Sequence, residues 1–426
     1  MSSEKSPSIA IVGGGISGLV LAIGLLRRNI HVQIYEQAKA FGEIGAGVAF
    51  SQNAERAMKA CSPDIHAGFE KVNTRNTWLE KQTTWFDFND GYNEKEIGKE
   101  KYLFSLKNET GASAVHRAHF LDAMVELVPK DLCHFSKHLD TIVEEDDHLK
   151  LRFHDGTEVT ADAVIGCDGI KSRVRAWMVG ENDPRARPTY THKYAYRGLI
   201  PVEKAKAALG EDNAVNSKMH MGQDGHILTF PVSHGEVMNV VAFWTNPDDW
   251  PDHSKLTLPS KREHVYRDFK HFGPTVQHII SLLEDDLDCW AIFDLGDHPM
   301  DFYNKGRVCL LGDAAHATSP HHGSGAGFCI EDAAVMCELL ADPRVKQGGK
   351  NGIEAAFKAF SDSRIERANW LVQSSRRSGD MYEWRVHGDN FEKIEAECRE
   401  RDNKIWNAQI SDMIEEGKEA LTSALA

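Results

Sequence analysis

Gly13-Gly14-Gly15-Ile16-Ser17-Gly18 stands between an apolar run, Ser8 to Val12, and a helix-forming stretch, Ile16 to Arg28. A G-x-G-x-x-G pattern at a strand-to-helix junction constrains this chain more than any other feature, because each glycine answers a separate steric demand. Gly13 permits the tight turn, Gly15 lets the backbone approach a pyrophosphate, and Gly18 lets helix and strand pack closely. The helix N-terminus then points free N–H groups at the phosphates. A second apolar run, His31 to Tyr35, completes a β-α-β unit and ends at Glu36. A carboxylate there accepts hydrogen bonds from ribose hydroxyls and repels a 2′-phosphate, so the site is predicted to take FAD or NAD and not NADP. The alternation implies a parallel, doubly wound sheet.

The chain's 426 residues exceed one ordinary domain, which predicts two interdigitated ones. After a glycine-rich segment, Gly42 to Gly47, and a helix from Asn53, the runs Trp78 to Phe88 and Lys101 to Lys107 alternate like strands of a second, antiparallel sheet. A helix over Arg117 to Val128 and strands at Leu149 to Phe153 and Ala163 to Gly166 return the chain to the first domain. Strands at Tyr194 to Ile200, Met219 to Met221, His226 to Phe230 and Val237 to Trp244 make the second sheet plainest. Arg307 to Leu311 runs as a buried strand into Gly312-Asp313, with a helix from Gly327 to Leu340 after it. Helical spacing over Ile353 to Arg377 and Phe391 to Glu416 predicts helices packed over the outside.

The net charge of −15 argues against nucleic acid or an anionic membrane as partner, since both need clustered basic surface. The N-terminus lacks signal-peptide regions, which predicts a cytoplasmic protein, and Leu19 to Leu26 is too short to span a bilayer. The eight cysteines form no Cys-x-x-Cys pair and read as buried hydrophobes. The histidine groupings lack carboxylates arranged to complete a site, so no metal is expected.

Two further segments, Gly166-Cys167-Asp168-Gly169 followed by Ser172 and Arg175, and Gly312-Asp313-Ala314-Ala315-His316 followed by Pro320, join the first motif in a recognisable set. Together they resemble the flavin-dependent aromatic hydroxylases, the single-component group typified by p-hydroxybenzoate hydroxylase. Phe41 to Gly47, Val115 to Phe120, Ala195 to Gly198, Asp224 to Val232 and Asn239 to Phe243 look like salicylate hydroxylases and like fungal enzymes that dearomatise polyketide phenols. The chain departs from bacterial salicylate hydroxylases at Pro320-His321-His322-Gly323, where a doubled histidine suits the dearomatising group. Phe230 stands where one dearomatising branch carries Tyr.

The resemblance implies an α/β fold: a Rossmann-like FAD-binding domain with a parallel sheet (1–75, 110–180 and 295–345), an interleaved β-sheet substrate domain (76–109 and 181–294), and C-terminal helices (346–426). It implies FAD held by Gly13, Gly15, Gly18 and Glu36, with Asp313 on the ribityl chain. Gly45 to Phe50 would run along the flavin, with Gly47 and Ala49 beside it and Arg117 and Ala326 also on the cofactor. Asp168 either borders FAD and the passing nicotinamide or caps the turn from Ile170 onward. With one glycine fingerprint and no second Rossmann repeat, NADH or NADPH is expected to dock transiently.

The expected reaction uses O2 and a flavin C4a-hydroperoxide to hydroxylate a small phenol. Salicylate giving catechol and CO2 is the first reading and a polyketide-derived phenolic aldehyde the second. A dehydrogenase or oxidase without oxygen insertion, and a non-catalytic nucleotide-dependent protein, are the other classes. Arg197 is the candidate to stabilise the phenolate, its bland role being an ion pair with one of the acids. His226 and His321 are candidates for carrying the phenol proton. Met219, Phe230 and Phe243 would form an apolar wall against water. The sequence does not set the oligomeric state.

Overall fold

A computed structural model of the chain describes residues 8–42 and 47–426; positions 45 and 46 of the predicted flavin-side stretch, Gly45 to Phe50, lie outside the described residues. Strand Ile9–Val12 is central in a six-stranded sheet, paired in parallel with Val32–Tyr35 on one side and Ala163–Gly166 on the other. Val308–Leu310 and Cys133–His134 extend it in parallel, and Asn304–Lys305 closes one edge antiparallel. Ile9 to Val12 and Ala163 to Gly166 are buried throughout, as strands covered on both faces must be. Helices Ile16–Arg27, Gln52–Cys61 and Gly325–Ala341 pack together against this sheet's core.

Leu149–Phe153 lies outside the parallel sheet. It is the middle strand of a three-stranded antiparallel sheet with Leu139–Glu144 and Glu158–Ala161. Its burial alternates, Leu149, Leu151 and Phe153 inward and Lys150 and Arg152 outward, the pattern of a sheet with one wet face.

The large sheet has eight strands in the order Thr257–Lys261, Asp286–Asp294, Thr189–Pro201, Val237–Thr245, Gly225–Val232, Lys218–Gly222, Thr84–Asp90, Lys101–Lys107. It departs from the expected antiparallel sheet at one pair, since Lys218–Gly222 runs parallel to Thr84–Asp90. The chain leaves for the nucleotide-side sheet between those two strands, and a long crossover is what a parallel pair requires. The strand expected from Trp78 begins at Thr84, because Leu79–Lys81 takes a 3-10 turn.

The C-terminal part is helical over Pro343–Tyr382, with a break at Gly349, then Phe391–Trp406 and Ile410–Ala424. These helices do more than cover the outside. Arg364 is fully buried, bonding to Glu331 and Asp332, and the end of the long helix supplies interior residues Tyr382 and Glu383. No helix among the described residues is long and apolar enough to cross a membrane.

Candidate active site

A cavity of about 710 Å³ runs from the parallel sheet to one face of the eight-stranded sheet. Its first end sits beyond the carboxyl ends of the parallel strands: Gly13 follows Val12, Glu36 follows Tyr35, and Cys167 to Gly169 follow Gly166. Open α/β sheets bind ligands at that edge.

This end fits a dinucleotide. Gly13 holds φ at +105°, and a Cβ there would meet Cys167 O at 2.3 Å; a Cβ on Gly18 would meet Gly13 O at 2.0 Å. At Gly15 a Cβ would touch nothing within 4 Å, so bare backbone faces the space a pyrophosphate needs. Helix Ile16–Arg27 has no side chain capping its N-terminus, nor has helix Gly325–Ala341, whose Gly325 and Ala326 line the cavity. Uncapped N–H groups of that kind receive anions and polarised oxygens. Glu36 is held in place by accepting from Gly14 N at 2.6 Å and Ala38 N at 2.7 Å.

Asp313 lines the cavity from a turn that is fixed from behind. Gly312 N donates to Asp332 Oδ2 at 3.2 Å, and the same oxygen lies 2.6 Å from His316 Nε2. Arg175 is buried and donates to Ile170 O at 2.6 Å, Ala314 O at 2.8 Å and Arg185 O at 3.0 Å, lacing the Asp168 and Asp313 turns together. Burial lowers its pKa to about 10, against the pull of Asp168 and Asp313. The Asp168 carboxylate accepts from Ser172 Oγ at 2.5 Å, Arg173 N at 2.7 Å and Val174 N at 3.1 Å. That is turn capping at the start of helix Arg173–Val179, on a residue that also lines the cavity. Burial raises its pKa, and these donors oppose the rise.

The second end is apolar and aromatic. Met219, Phe230 and Phe243 line it, joined by Trp85, Phe86, Phe88, Leu228, Val241 and Tyr382, which sequence reasoning missed. Trp85, Phe86 and Phe88 lie on the strand Thr84–Asp90, buried at every position, so that burial marks no single inward face, and Tyr382 comes from the end of the long helix Pro343–Tyr382. Gly47 and Ala49 border both ends, and a Cβ on Gly47 would meet Phe230 Cε2 at 2.7 Å.

Arg117 and Arg197 are two of the cations that line the cavity. Arg117 lines it from the start of helix Arg117–Val125, and Arg197 from the middle of Thr189–Pro201. Arg197 stacks over Trp290 at 4.8 Å, its Nε is buried without a hydrogen bond, and it forms no ion pair among the described residues. The ion-pair role weighed for it therefore finds no partner. Burial, then the nearby Arg117 charge, lowers its pKa to about 10.

His321 also lines the chamber, its ring occupying space left by Gly379, where a Cβ would fall 2.5 Å from the imidazole. Both its ring nitrogens are buried and unpartnered, and burial holds its pKa well below the usual histidine range. His226 is not on the cavity surface. It stacks on Phe243 at 4.7 Å and lies 5.4 Å, centroid to centroid, from His321. His322, next to His321 in the chain, is locked, with Nδ1 2.8 Å from Asp402 and Nε2 2.8 Å from Ser374. Away from the cavity, Glu55, His66 and Glu70 lie close enough to share a cation, but Arg75 pairs with Glu70 at 2.9 Å and lies 3.8 Å from Glu55.

Residues 132–375 match the FAD binding domain family and residues 11–71 match the NAD(P)-binding Rossmann-like domain. An FAD-dependent monooxygenase of Aspergillus niger is 46% identical over 100% of this chain and 99% of its own length. A salicylate hydroxylase of Sarocladium schorii is 40% identical, covering 98% of this chain and 92% of itself. Among solved structures, a salicylate hydroxylase substrate complex superposes with a TM-score of 0.85 at 30% identity, over 97% of this chain and 98% of that one.

Proposed function

We propose, from the premise that this chain belongs to the FAD-dependent monooxygenases, that it hydroxylates a small phenol carrying an ortho carboxylate or carbonyl, with salicylate the first candidate. Arg197 carries the reading: a half-buried guanidinium, its Nε buried without a hydrogen bond and no ion pair to it among the described residues, borders an aromatic-walled chamber, which an anionic ring would complete. Charges are rarely buried without a counter-charge, so the bound ligand is assigned that part.

FAD, reduced by NADH or NADPH, supplies the activation of O2 that inserts one oxygen atom into the ring. Gly13, Gly15 and Gly18 shape its pyrophosphate site, Glu36 receives ribose hydroxyls, and Asp313 takes the ribityl chain. Gly47, Ala49 and Ala326 bring backbone to the ring system, with Arg117 adding charge. Arg197 lowers the phenol pKa and grips the oxyanion through a planar fork. His321, neutral at pH 7 because burial depresses its pKa, accepts the phenol proton, with His226 behind it. Met219, Phe230 and Phe243 keep water from the reacting atoms.

The locked His322 favours a second reading. In the doubled histidine one ring serves the fold and frees the other for the cavity, and that doubling resembles the dearomatising enzymes. A phenolic aldehyde hydroxylated at a methyl-bearing ring carbon would then give a dearomatised quinol, since the methyl group cannot leave. NADH and NADPH oxidation with each class, measured together with CO2 and product mass, separates them. Salicylate should yield catechol and CO2. No stimulation by salicylate alongside clean aldehyde hydroxylation would remove the first candidate.

A further inference from the structure

The chamber's histidines connect to something the reaction reading leaves unused. Glu383 is fully buried, yet it carries a charge. One of its oxygens takes a short bond from Lys193 Nζ and another from Thr245 Oγ1 at 2.5 Å. Its other oxygen has no hydrogen-bond partner and lies 3.3 Å from His226 Nδ1. Lys193, itself buried, reaches Asp380 Oδ1 at 3.1 Å, and that side chain is 41% exposed. His226 and His321 contribute four buried ring nitrogens without hydrogen bonds, at a spacing one bridging water can span. An apolar side chain at any of these places would suit the packing better, because unsatisfied buried polar groups are costly.

We infer that Glu383, Lys193 and Asp380 complete a proton path from the chamber to solvent, through His321 and His226. The inference rests on the proposal that His321 accepts the phenol proton. The phenol O–H bond breaks and its proton bonds to His321, which passes a proton to His226. The imidazolium formed there faces Glu383 and gives up its proton to the free carboxylate oxygen. Lys193 donates one proton to Asp380 and is refilled from Glu383, and Asp380 releases its proton to water. Each group ends with the protons it began with. No electrons move, and the phenolate stays behind against Arg197. Glu383 touches neither ring nor cofactor, so its part is to position His226 and hand on the proton.

The test uses FAD-loaded, oxidised enzyme without NAD(P)H, mixed rapidly with 2,4-dihydroxybenzaldehyde, whose phenolate absorbs at longer wavelength than its phenol. A pH indicator follows proton release. Wild-type enzyme should form bound phenolate and release a proton in one phase. Glu383→Gln and Asp380→Asn should slow both by about tenfold, the worth of one charge-assisted link. Asp380→Asn should leave the ligand's Kd unchanged, and because its side chain is partly exposed it decides the matter if Glu383→Gln does not fold. Wild-type rates in both variants, with His321→Phe slow, would overturn the path and leave His321 as acceptor. Wild-type rates in all three, or no phenolate in the wild type, would overturn both.

Discussion

Arg197→Met should raise the stability of the protein and lower its affinity for substrate. At pH 7 the guanidinium is charged in surroundings that drop its pKa to about 10, a penalty of roughly 3 kcal/mol at 1.36 kcal/mol per unit. The penalty is present in full at neutral pH and is relieved only as pH climbs through 10. Methionine fills similar volume without charge but loses the Trp290 stack, worth about 0.5–1 kcal/mol. The net gain should be about 2 kcal/mol, read as a rise in Tm of FAD-loaded enzyme without substrate. The same substitution removes a charge-assisted bond to the ligand, about 1.5–3 kcal/mol, or roughly tenfold to a hundredfold in Kd for salicylate by flavin absorbance titration. H2O2 released per NAD(P)H should increase, with FAD retained. A variant that loses stability and binds salicylate as wild type would refute the reasoning, because the charge would then be serving the fold.

Gly18→Ala should cost at least about 3 kcal/mol and FAD retention, since its Cβ would meet backbone at 2.0 Å and nothing flexible can give way; a yellow, stably folded variant would contradict this. Gly379→Ala gains about 1 kcal/mol of helix propensity but displaces the His321 ring. Tm should therefore change little while uncoupled H2O2 rises in a stopped assay. Burial alone would raise the Glu383 pKa, but His226 and Lys193 outweigh it and bring it to about 2, so its contribution to stability is present above the ordinary carboxylate range and is lost as pH falls towards 2. Glu383→Gln should flatten that acid limb by on the order of 2–3 kcal/mol, visible in Tm measured between pH 7 and pH 3.

The nucleotide half was legible because its constraints are local. Turn geometry and close backbone approach dictate Gly13, Gly15 and Gly18, and the strand after the helix brings Glu36 to the same edge. Strand limits at Lys101–Lys107 and Ala163–Gly166 could also be read from apolar runs and their flanks. The parallel pairing of Lys218–Gly222 with Thr84–Asp90 could not, because it depends on where the chain goes in between.

The sequence by itself determined a dinucleotide-binding β-α-β unit and the acid at the end of its second strand, both from local spacing, and its resemblance to a family added candidates for a phenol chamber. Only the tertiary structure decided which candidates meet. It placed Arg197 in the cavity without a described counter-ion, put His226 one layer behind His321, and tied His322, at the cavity's edge, to Asp402 and Ser374. It also brought Glu383, 157 residues beyond His226 in the chain, to within 3.3 Å of it. No local pattern marks Glu383, because what sets it apart is the burial of its carboxylate among residues from distant elements, and burial is a property of the packed chain.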